Sequence, residues 1–370
     1  MQPVAGHLSR RPGVAAGVDV LDSVVTGAGQ AGLSASFHLR RLGLEHVVLD
    51  ADAAPGGAWQ HRWDSLTMHD VHGVADLPGL EREGGDGADR ANEAVPAYFA
   101  DYERRFDLPV VRPVRVERVE RDGDLLVVRA DGRAWRTRTL VNATGTWTHP
   151  FWPHYPGMET FVGEQVHTAQ FPGGEHFRGV RTLVVGGGAS AVQHLGELAP
   201  VTDTLWVTRR PPVWRTGEFT PEAGHEAVAL VEERVRQGLP PQSVVSVTGL
   251  MLREQEREAE RLGAYADRRD PFVRVEPDGV RWADGTFEPV GAIVWATGFR
   301  PAVAHLAPLR LRSEHGGIQL DGTTSVADPR VQLVGYGPSA STIGANRAGR
   351  TAALGVRRAL RAVPEAAPAP

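Results

Sequence analysis

The sequence predicts an α/β fold with two dinucleotide-binding, Rossmann-like domains, the second inserted into the first. A glycine-rich turn between a β-like run and an amphipathic helix occurs twice, at residues 27–32 and 186–191. An Ala-Thr-Gly turn after a β-like run also occurs twice, at 143–145 and 296–298. Because both halves repeat these features in the same order, they indicate two nucleotide-binding units of related design.

The first unit carries a complete dinucleotide fingerprint. A β-like run ends at Val25, and Gly27-x-Gly29-x-x-Gly32 follows it before an apolar-periodic helix. Gly27 permits the tight turn, Gly29 lets the backbone approach a pyrophosphate, and Gly32 allows close helix–strand packing. The helix N-terminus presents free N–H groups to the phosphates. The next strand ends in Asp50, about 20 residues after Gly29, where a carboxylate accepts ribose hydroxyls. An acid at this position suits the adenosine of FAD.

Two further stretches of the first unit are candidates for flavin contact. Gly57 and Trp59 belong to a loop of paired glycines and aromatic residues, which suits either a flat ring system or an ordinary turn over core tryptophans. Helical spacing over 95–106 predicts a core-facing helix, and three β-like runs follow over 114–141. The last run enters a small-residue turn at Thr144 and Gly145, which can bring the backbone against a cofactor.

The second unit repeats the phosphate loop with a different ending. Its loop is Gly186-x-Gly188-x-x-Ala191, and alanine is allowed at the third position. The strand after its helix ends in Arg209-Arg210, where the first unit has an acid. Paired arginines favour a ribose 2′-phosphate through charge-assisted bonds, so we expect NADPH rather than NADH. The alternative is a solvated basic pair.

The remaining segments complete the predicted organisation. Residues 151–177 are rich in proline, glycine and aromatic residues without a clear period, which indicates a linker between the domains. Charged amphipathic helices at 226–237 and 251–262, within an insertion at 218–262, are expected to line a substrate pocket, to mediate contacts in a homodimer, or to cap the domain. Thr297 and Gly298 form the second cofactor-facing turn, and the last helix is expected to direct its N-terminus, at Thr342, towards the flavin. The predicted order is a flexible extension (1–20), an FAD-binding domain (21–150 and 296–362), an NADPH-binding domain (151–295) and a disordered tail (363–370).

The composition excludes several classes of function. The chain has 370 residues, a formal net charge of −5 and no cysteine. The charge gives no sign of nucleic-acid or membrane partners. The absence of cysteine excludes disulfides, thiolate catalysis, Cys-based metal sites and electron transfer to a redox-active disulfide, and it suits a reducing cytoplasm. No apolar run is long enough to span a bilayer, and no metal site is expected.

The segment before the second phosphate loop resembles a known family. Phe161-x-Gly163-x-x-x-His167-x-x-x-Phe171 is similar to the FxGxxxHxxx(Y/F) motif of class B flavin-containing monooxygenases. The related Baeyer–Villiger enzymes carry Trp-Pro where this chain has Phe171-Pro172. The two Ala-Thr-Gly turns and the loop at 56–59 also look like this family. We interpret His167 as structural or as positioning NADP.

The resemblance implies a reaction. NADPH reduces FAD, O2 adds at flavin C4a, and the hydroperoxide transfers one oxygen to a nitrogen or sulfur atom of a small-molecule substrate. Many relatives have an asparagine in the segment that corresponds to 66–74, and this chain has none there. His72 and Asp70 are therefore the candidate catalytic residues. The alternatives are Baeyer–Villiger oxygenation of a ketone, and an NADPH oxidase or redox protein without oxygen transfer.

Overall fold

The computed structural model describes most of the chain. It covers residues 20–71, 73–82, 84–215, 221–242, 249–250 and 252–362, without the side chains of 221–228 and 342–343. Three predictions lie outside the described residues: the conformation of 1–19, that of the tail 363–370, and the position of His72.

The described part of the chain combines α-helices with two parallel-stranded units and antiparallel additions, as an α/β fold does. The helices are α1 (Gln30–Arg41), α2 (Ala91–Arg105), α3 (Ala189–Leu198), α4 (Pro221–Arg236), α5 (Glu254–Arg261) and α6 (Thr342–Ala362). The strands are β1 (Leu21–Thr26), β2 (His46–Leu49), β3 (Val110–Val111), β4 (Val116–Asp122), β5 (Leu125–Ala130), β6 (Arg133–Asn142), β7 (Glu164–His167), β8 (Thr182–Val185), β9 (Thr204–Val207), β10 (Arg268–Arg269), β11 (Arg274–Glu276), β12 (Gly279–Arg281), β13 (Phe287–Pro289), β14 (Ala292–Trp295), β15 (Leu320–Asp321), β16 (Thr324–Ser325) and β17 (Val331–Leu333).

The first sheet takes strands from both ends of the described chain. Its order is β15-β16-β17-β6-β1-β2-β3, and β5 and β4 extend antiparallel from β6. Strand β1 lies between β6 and β2 and runs parallel to both. Helices α1 and α6 pack against each other and against this sheet in one apolar core. Because the chain leaves β1 for β2 on one side and reaches β6 on the other, the carboxyl end of β1 is the place where such sheets bind ligands.

In the unit that contains the first sheet, two predicted turns have residues in the backbone conformation that such turns require. Gly43 has φ +69° just past α1, the left-handed conformation that glycine takes after a helix. Asp131 and Gly132, between β5 and β6, both have positive φ, as a tight type I′ hairpin requires.

The second sheet is parallel throughout, in the order β10-β9-β8-β14-β7. Strands β8 and β14 are fully buried, as expected for a sheet covered on both faces. All strands of this sheet lie between residues 164 and 295, so in sequence it falls between the two parts of the first sheet. The predicted fold class is confirmed.

Three sequence-based assignments were wrong in detail. The predicted linker at 151–177 contains a strand of the second sheet, β7, whose Val166 and His167 are buried beside β14. Strand β13 was missed because a three-residue strand has almost no periodicity; it completes an antiparallel sheet with β11 and β12. The helices of the charged insertion were predicted at 226–237 and 251–262, and the structure begins them at Pro221 and Glu254.

Two crossing segments join the units that contain the two sheets. Pro150 and Phe299 form an antiparallel bridge. Phe151 N–H donates to Gly298 O at 2.9 Å, and Arg300 N–H donates to His149 O at 2.9 Å. Within the described part of the chain, no helix has both the length and the apolar character needed to cross a membrane.

Candidate functional site

The first phosphate loop leaves space where a dinucleotide would lie. Gly27 has φ +98°, and a Cβ there would meet Ala143 O at 2.6 Å, so the turn is packed against the end of β6. Gly32 packs equally closely, and a Cβ there would meet the Ala143 side chain at 3.2 Å. Gly29 differs, because it is the N-cap residue of α1 and a Cβ there would find only Gly57 Cα, at 4.0 Å. The open side of Gly29 therefore fits a pyrophosphate at the helix N-terminus.

Asp50 lies beside this loop in a buried ionic cluster that the sequence analysis missed. Its Oδ1 accepts Ala28 N–H at 3.3 Å, and its Oδ2 accepts Arg112 Nε–H and Nη2–H at 3.2 and 3.1 Å. Arg112 also donates to both oxygens of Glu103, at 2.6 and 2.8 Å. Burial raises the pKa of Asp50, while Arg112 acts in the opposite direction. The available signal was the arginine directly after β3, because β3 pairs with β2, which ends before Asp50.

The candidate flavin-contact turns lie at the same edge of the sheet. Gly57 has φ +51°, and a Cβ there would meet Gly29 Cα at 2.7 Å, so the paired-glycine loop touches the phosphate loop. Trp59 is partly buried just beyond it. Thr144 Oγ1 donates to Ala302 O at 2.7 Å, and Gly145 has φ +60° with nothing within 4 Å of an added Cβ. The structure thus brings together four of the predicted positions.

The second phosphate loop has the same geometry. Gly186 has φ +151°, and Gly188, the N-cap residue of α3, has open space at its Cβ position. Ala191 is fully buried under the loop. Arg209 and Arg210 follow β9, are exposed, and form no salt bridge with a described residue.

Two further arginines lie on the neighbouring strand β10. Arg268 pairs with Asp270 at 2.9 Å, and Arg269 pairs with Glu288 at 2.8 Å. Their carboxylate partners neutralise them. Of the four arginines at this sheet edge, only the predicted pair is therefore available to a phosphate.

The second Ala-Thr-Gly turn, at 296–298, forms hydrogen bonds within the protein, to residues of 151–167. Thr297 Oγ1 donates to Phe151 O at 2.5 Å. His167 Nε2 donates to Gly298 O at 3.0 Å, and its Nδ1 accepts Ala169 N–H at 3.1 Å. Burial lowers the pKa of His167, which favours this neutral form. Both ring nitrogens serve the backbone, so the geometry supports the structural alternative for this histidine.

The segment 66–74, which contains the candidate catalytic residue Asp70, receives hydrogen bonds from side chains of the second unit. Asp70 Oδ2 accepts Thr67 Oγ1–H at 2.5 Å, and Asp70 O accepts Gln193 Nε2–H at 2.8 Å. Arg253 Nη1 donates to His69 O at 2.8 Å and also to Val71 O. One oxygen of the Asp70 carboxylate is therefore engaged within its own turn. The side chain of Thr342, the first residue of α6, lies outside the described residues.

Glu197 joins the same two units, and the sequence analysis did not identify it. Its carboxylate accepts hydrogen bonds from Trp63 Nε1–H at 2.6 Å, Ser65 Oγ–H at 2.6 Å and Gly174 N–H at 3.2 Å. Burial raises the pKa of Glu197. The described residues contain no group of three or more His, Cys, Asp or Glu side chains that could hold a metal ion.

Comparison with known proteins points to flavin enzymes. The profile of the pyridine nucleotide-disulphide oxidoreductase family matches residues 24–238. A flavin-containing monooxygenase of known structure from Stenotrophomonas maltophilia is 38% identical, with a TM-score of 0.79 over 93% of this chain and 99% of that one.

Curated relatives match over a shorter length. An uncharacterized oxidoreductase, CzcO, from Bacillus velezensis is 29% identical over 52% of this chain and 59% of its own length. Senecionine N-oxygenase from Tyria jacobaeae is 26% identical over 52% of this chain and 48% of its own length. The alignments thus span about half the length of these two relatives.

Proposed function

The chain belongs to the class B flavin-containing monooxygenases, within the pyridine nucleotide-disulphide oxidoreductase family, and we propose that it uses NADPH and O2 to oxygenate a nitrogen or sulfur atom of a small molecule. Bound FAD would supply the redox chemistry, namely hydride acceptance from a nicotinamide and reaction with O2. The disulfide named in the wider family has no counterpart, since the chain has no cysteine.

The observation that carries this proposal is the pair of open glycine cradles. Gly29 and Gly188 are each the N-cap residue of a helix, and neither position meets another atom closer than 4.0 Å from an added Cβ. Two such cradles in one chain accommodate two dinucleotides, and hydride transfer between them is the reaction that this pairing serves. We assign FAD to the unit at 21–150 and 296–362 and NADPH to the unit at 151–295.

The choice of NADPH rests on Arg209 and Arg210. They are exposed, carry no carboxylate partner among the described residues, and follow the strand whose end meets the ribose in such folds. A 2′-phosphate supplies the anion that they lack. The choice of nitrogen or sulfur rests on the linker motif and on the N-oxygenase relative. Asp70 and His72 remain the candidates for contact with the reacting centre.

The test is a balance of O2, NADPH and product with the purified holoprotein. NADPH consumption, O2 uptake, hydrogen peroxide release and oxygenated product are measured with a tertiary amine, a thioether and a cyclic ketone. NADPH that is consumed without substrate, with release of peroxide, is subtracted as background. For each further NADPH consumed, we expect one oxygen atom in an N-oxide or sulfoxide. An ester or lactone from the ketone alone would establish the Baeyer–Villiger alternative. Recovery of all consumed O2 as peroxide with every substrate would establish the oxidase alternative, which the missing asparagine at 66–74 keeps open.

A further inference from the structure

Arg62 is a charged side chain without an anionic partner. Its Nε is buried and donates no hydrogen bond, and its guanidinium forms no salt bridge with a described residue. Its neighbours are aromatic, since the guanidinium carbon lies 4.1 Å from the Trp147 ring centroid and 5.4 Å from that of Trp59. Burial lowers the pKa of Arg62 to about 10, so the side chain still carries its charge at neutral pH.

A second partly buried arginine of the first unit has anionic partners instead. Arg112 is paired with two carboxylates, at 3.1 and 2.6 Å. A desolvated charge is costly unless it meets an opposite charge or strong hydrogen-bond acceptors. Stacking on tryptophan offsets only part of that cost. The position therefore calls for an electron-rich group on the exposed side of the guanidinium.

The place of Arg62 in the fold identifies the group. Trp147 follows the Gly145 turn at the carboxyl end of β6, beside β1. Trp59 follows Gly57, which touches the phosphate loop. A dinucleotide whose pyrophosphate lies on Gly29 would extend its second half across this crevice, at the carboxyl ends of the strands. In FAD that half is the isoalloxazine ring.

We propose that Arg62 is an electrostatic partner of the flavin ring and stabilises its two-electron-reduced, negatively charged form. The proposal rests on the assignment of FAD to the first unit. Charge near the flavin ring nitrogens is one of the means by which a protein sets flavin reactivity. No covalent step is involved, because the guanidinium keeps its proton and acts by charge and hydrogen bonding.

The surroundings of Arg62 strengthen this role. His194, on α3, is fully buried and close enough to Arg62 for the two groups to interact electrostatically, and burial lowers its pKa to about 3. That ring is therefore neutral, packs on Trp63 and Phe171 at centroid distances of 4.9 and 4.0 Å, and adds no second cation. The positive charge next to the proposed position of the isoalloxazine ring therefore comes from Arg62.

The experiment measures the midpoint potential of bound FAD in the holoprotein, by equilibration with reference dyes. The variants are Arg62→Met, which removes the charge, and Arg62→Lys, which keeps it. Arg300→Met is the matched control, since Arg300 also stacks on an aromatic ring, 4.3 Å from the Phe151 centroid, but is exposed. We expect Arg62→Met to weaken the reduced form at least tenfold relative to the oxidised form, which is about 30 mV for a two-electron couple. Arg62→Lys should retain most of the wild-type potential, and Arg300→Met all of it.

Two results would overturn the proposal: an unchanged potential in Arg62→Met, or equal shifts in Arg62→Met and Arg62→Lys. Either would leave Arg62 as a packing residue. If Arg62→Met loses FAD during purification, FAD is titrated into the Arg62→Gln and Arg62→Lys proteins under oxidising and reducing conditions. An equal ratio of the two affinities in both variants would again refute the role. The readout needs no NADPH, O2 or substrate, so it can fail or succeed independently of oxygen transfer.

Discussion

Arg112 donates two hydrogen bonds to Asp50 Oδ2, at 3.2 and 3.1 Å, in a cluster where both side chains are at most 12% exposed. The other edge of the guanidinium donates to Glu103. Asp50 Oδ1 in turn accepts Ala28 N–H from the first phosphate loop. The arginine therefore connects α2, the end of β2 and the glycine-rich loop, and it holds the carboxylate that we assign to the ribose.

Removal of this arginine should destabilise the protein strongly. Arg112→Met leaves two buried carboxylates without a cation, and breaking a buried pair costs about 3–5 kcal/mol. Arg105→Met is the control, because Arg105 lies on α2, the helix that carries Glu103, is exposed, and its pair with Asp101 should contribute at most about 1 kcal/mol. The measurement is the free energy of unfolding from urea denaturation at neutral pH. Equal losses in the two variants would contradict a structural role for the cluster.

The same variant should respond to pH in a defined direction. Burial raises the pKa of Asp50, and Arg112 opposes that shift. Without Arg112 the folded-state pKa rises further above the unfolded value. A group whose pKa is raised on folding contributes stability at low pH and loses it as pH rises through the folded pKa. The stability difference between wild type and Arg112→Met should therefore shrink from pH 8 to pH 5, and a constant difference would argue against ionised Asp50 as the cause.

Gly29→Val and Gly188→Val should each remove one cofactor and spare the other. The Cβ positions of both residues are open in the protein itself, so the fold should persist while the path of a pyrophosphate is blocked. We expect Gly29→Val to be purified without FAD. Gly188→Val should keep FAD but lose reduction by NADPH at ordinary concentrations. Flavin absorbance and anaerobic reduction rates are the measurements, and full flavin in Gly29→Val would refute the first assignment.

Arg209→Ala and Arg210→Ala should lower the preference for NADPH. A guanidinium–phosphate bond contributes about 1.5–3 kcal/mol, so loss of one should weaken the use of NADPH about ten- to a hundredfold. NADH lacks the phosphate, and its use should change little. The readout is kcat/KM for flavin reduction with each nucleotide. Arg178→Ala is the control, since Arg178 is exposed on the same unit and pairs with Glu175; an unchanged NADPH/NADH ratio in both variants would make the arginines a solvated pair.

His305 should contribute to the loss of stability in mild acid. Its Nε2 donates to Asn142 Oδ1 at 2.7 Å, and burial lowers its pKa from 6.5 to about 4. Because the folded pKa is depressed, the contribution is present above pH 6.5 and is lost as pH falls towards 4. At pH 5.5 the loss amounts to about 1 kcal/mol. Wild type should therefore lose about that much more than His305→Gln between pH 7.5 and pH 5.5, as measured by urea denaturation; parallel losses would show that His305 titrates normally.

The elements that the sequence predicted well are those with strong local signals. The helix that follows Gly29 and the hairpin at Asp131-Gly132 are predicted from periodicity and from backbone conformations that few residues adopt. The strands that escaped prediction are short or irregular. Strand β7 exists because Val166 and His167 pair with the buried edge of β14, which lies more than a hundred residues away in sequence.

The sequence by itself determined the two nucleotide-binding units, the positions of their glycine-rich turns and the exclusion of thiol chemistry, because these depend on residue type and spacing within a few turns of chain. Only the tertiary structure decided which charged groups are paired within the protein and which remain available to a ligand. Asp50 is bound by Arg112, whereas Arg62 contacts aromatic rings and has no carboxylate partner among the described residues. The physical reason is that charge compensation and desolvation arise between residues distant in sequence, and no local pattern records them.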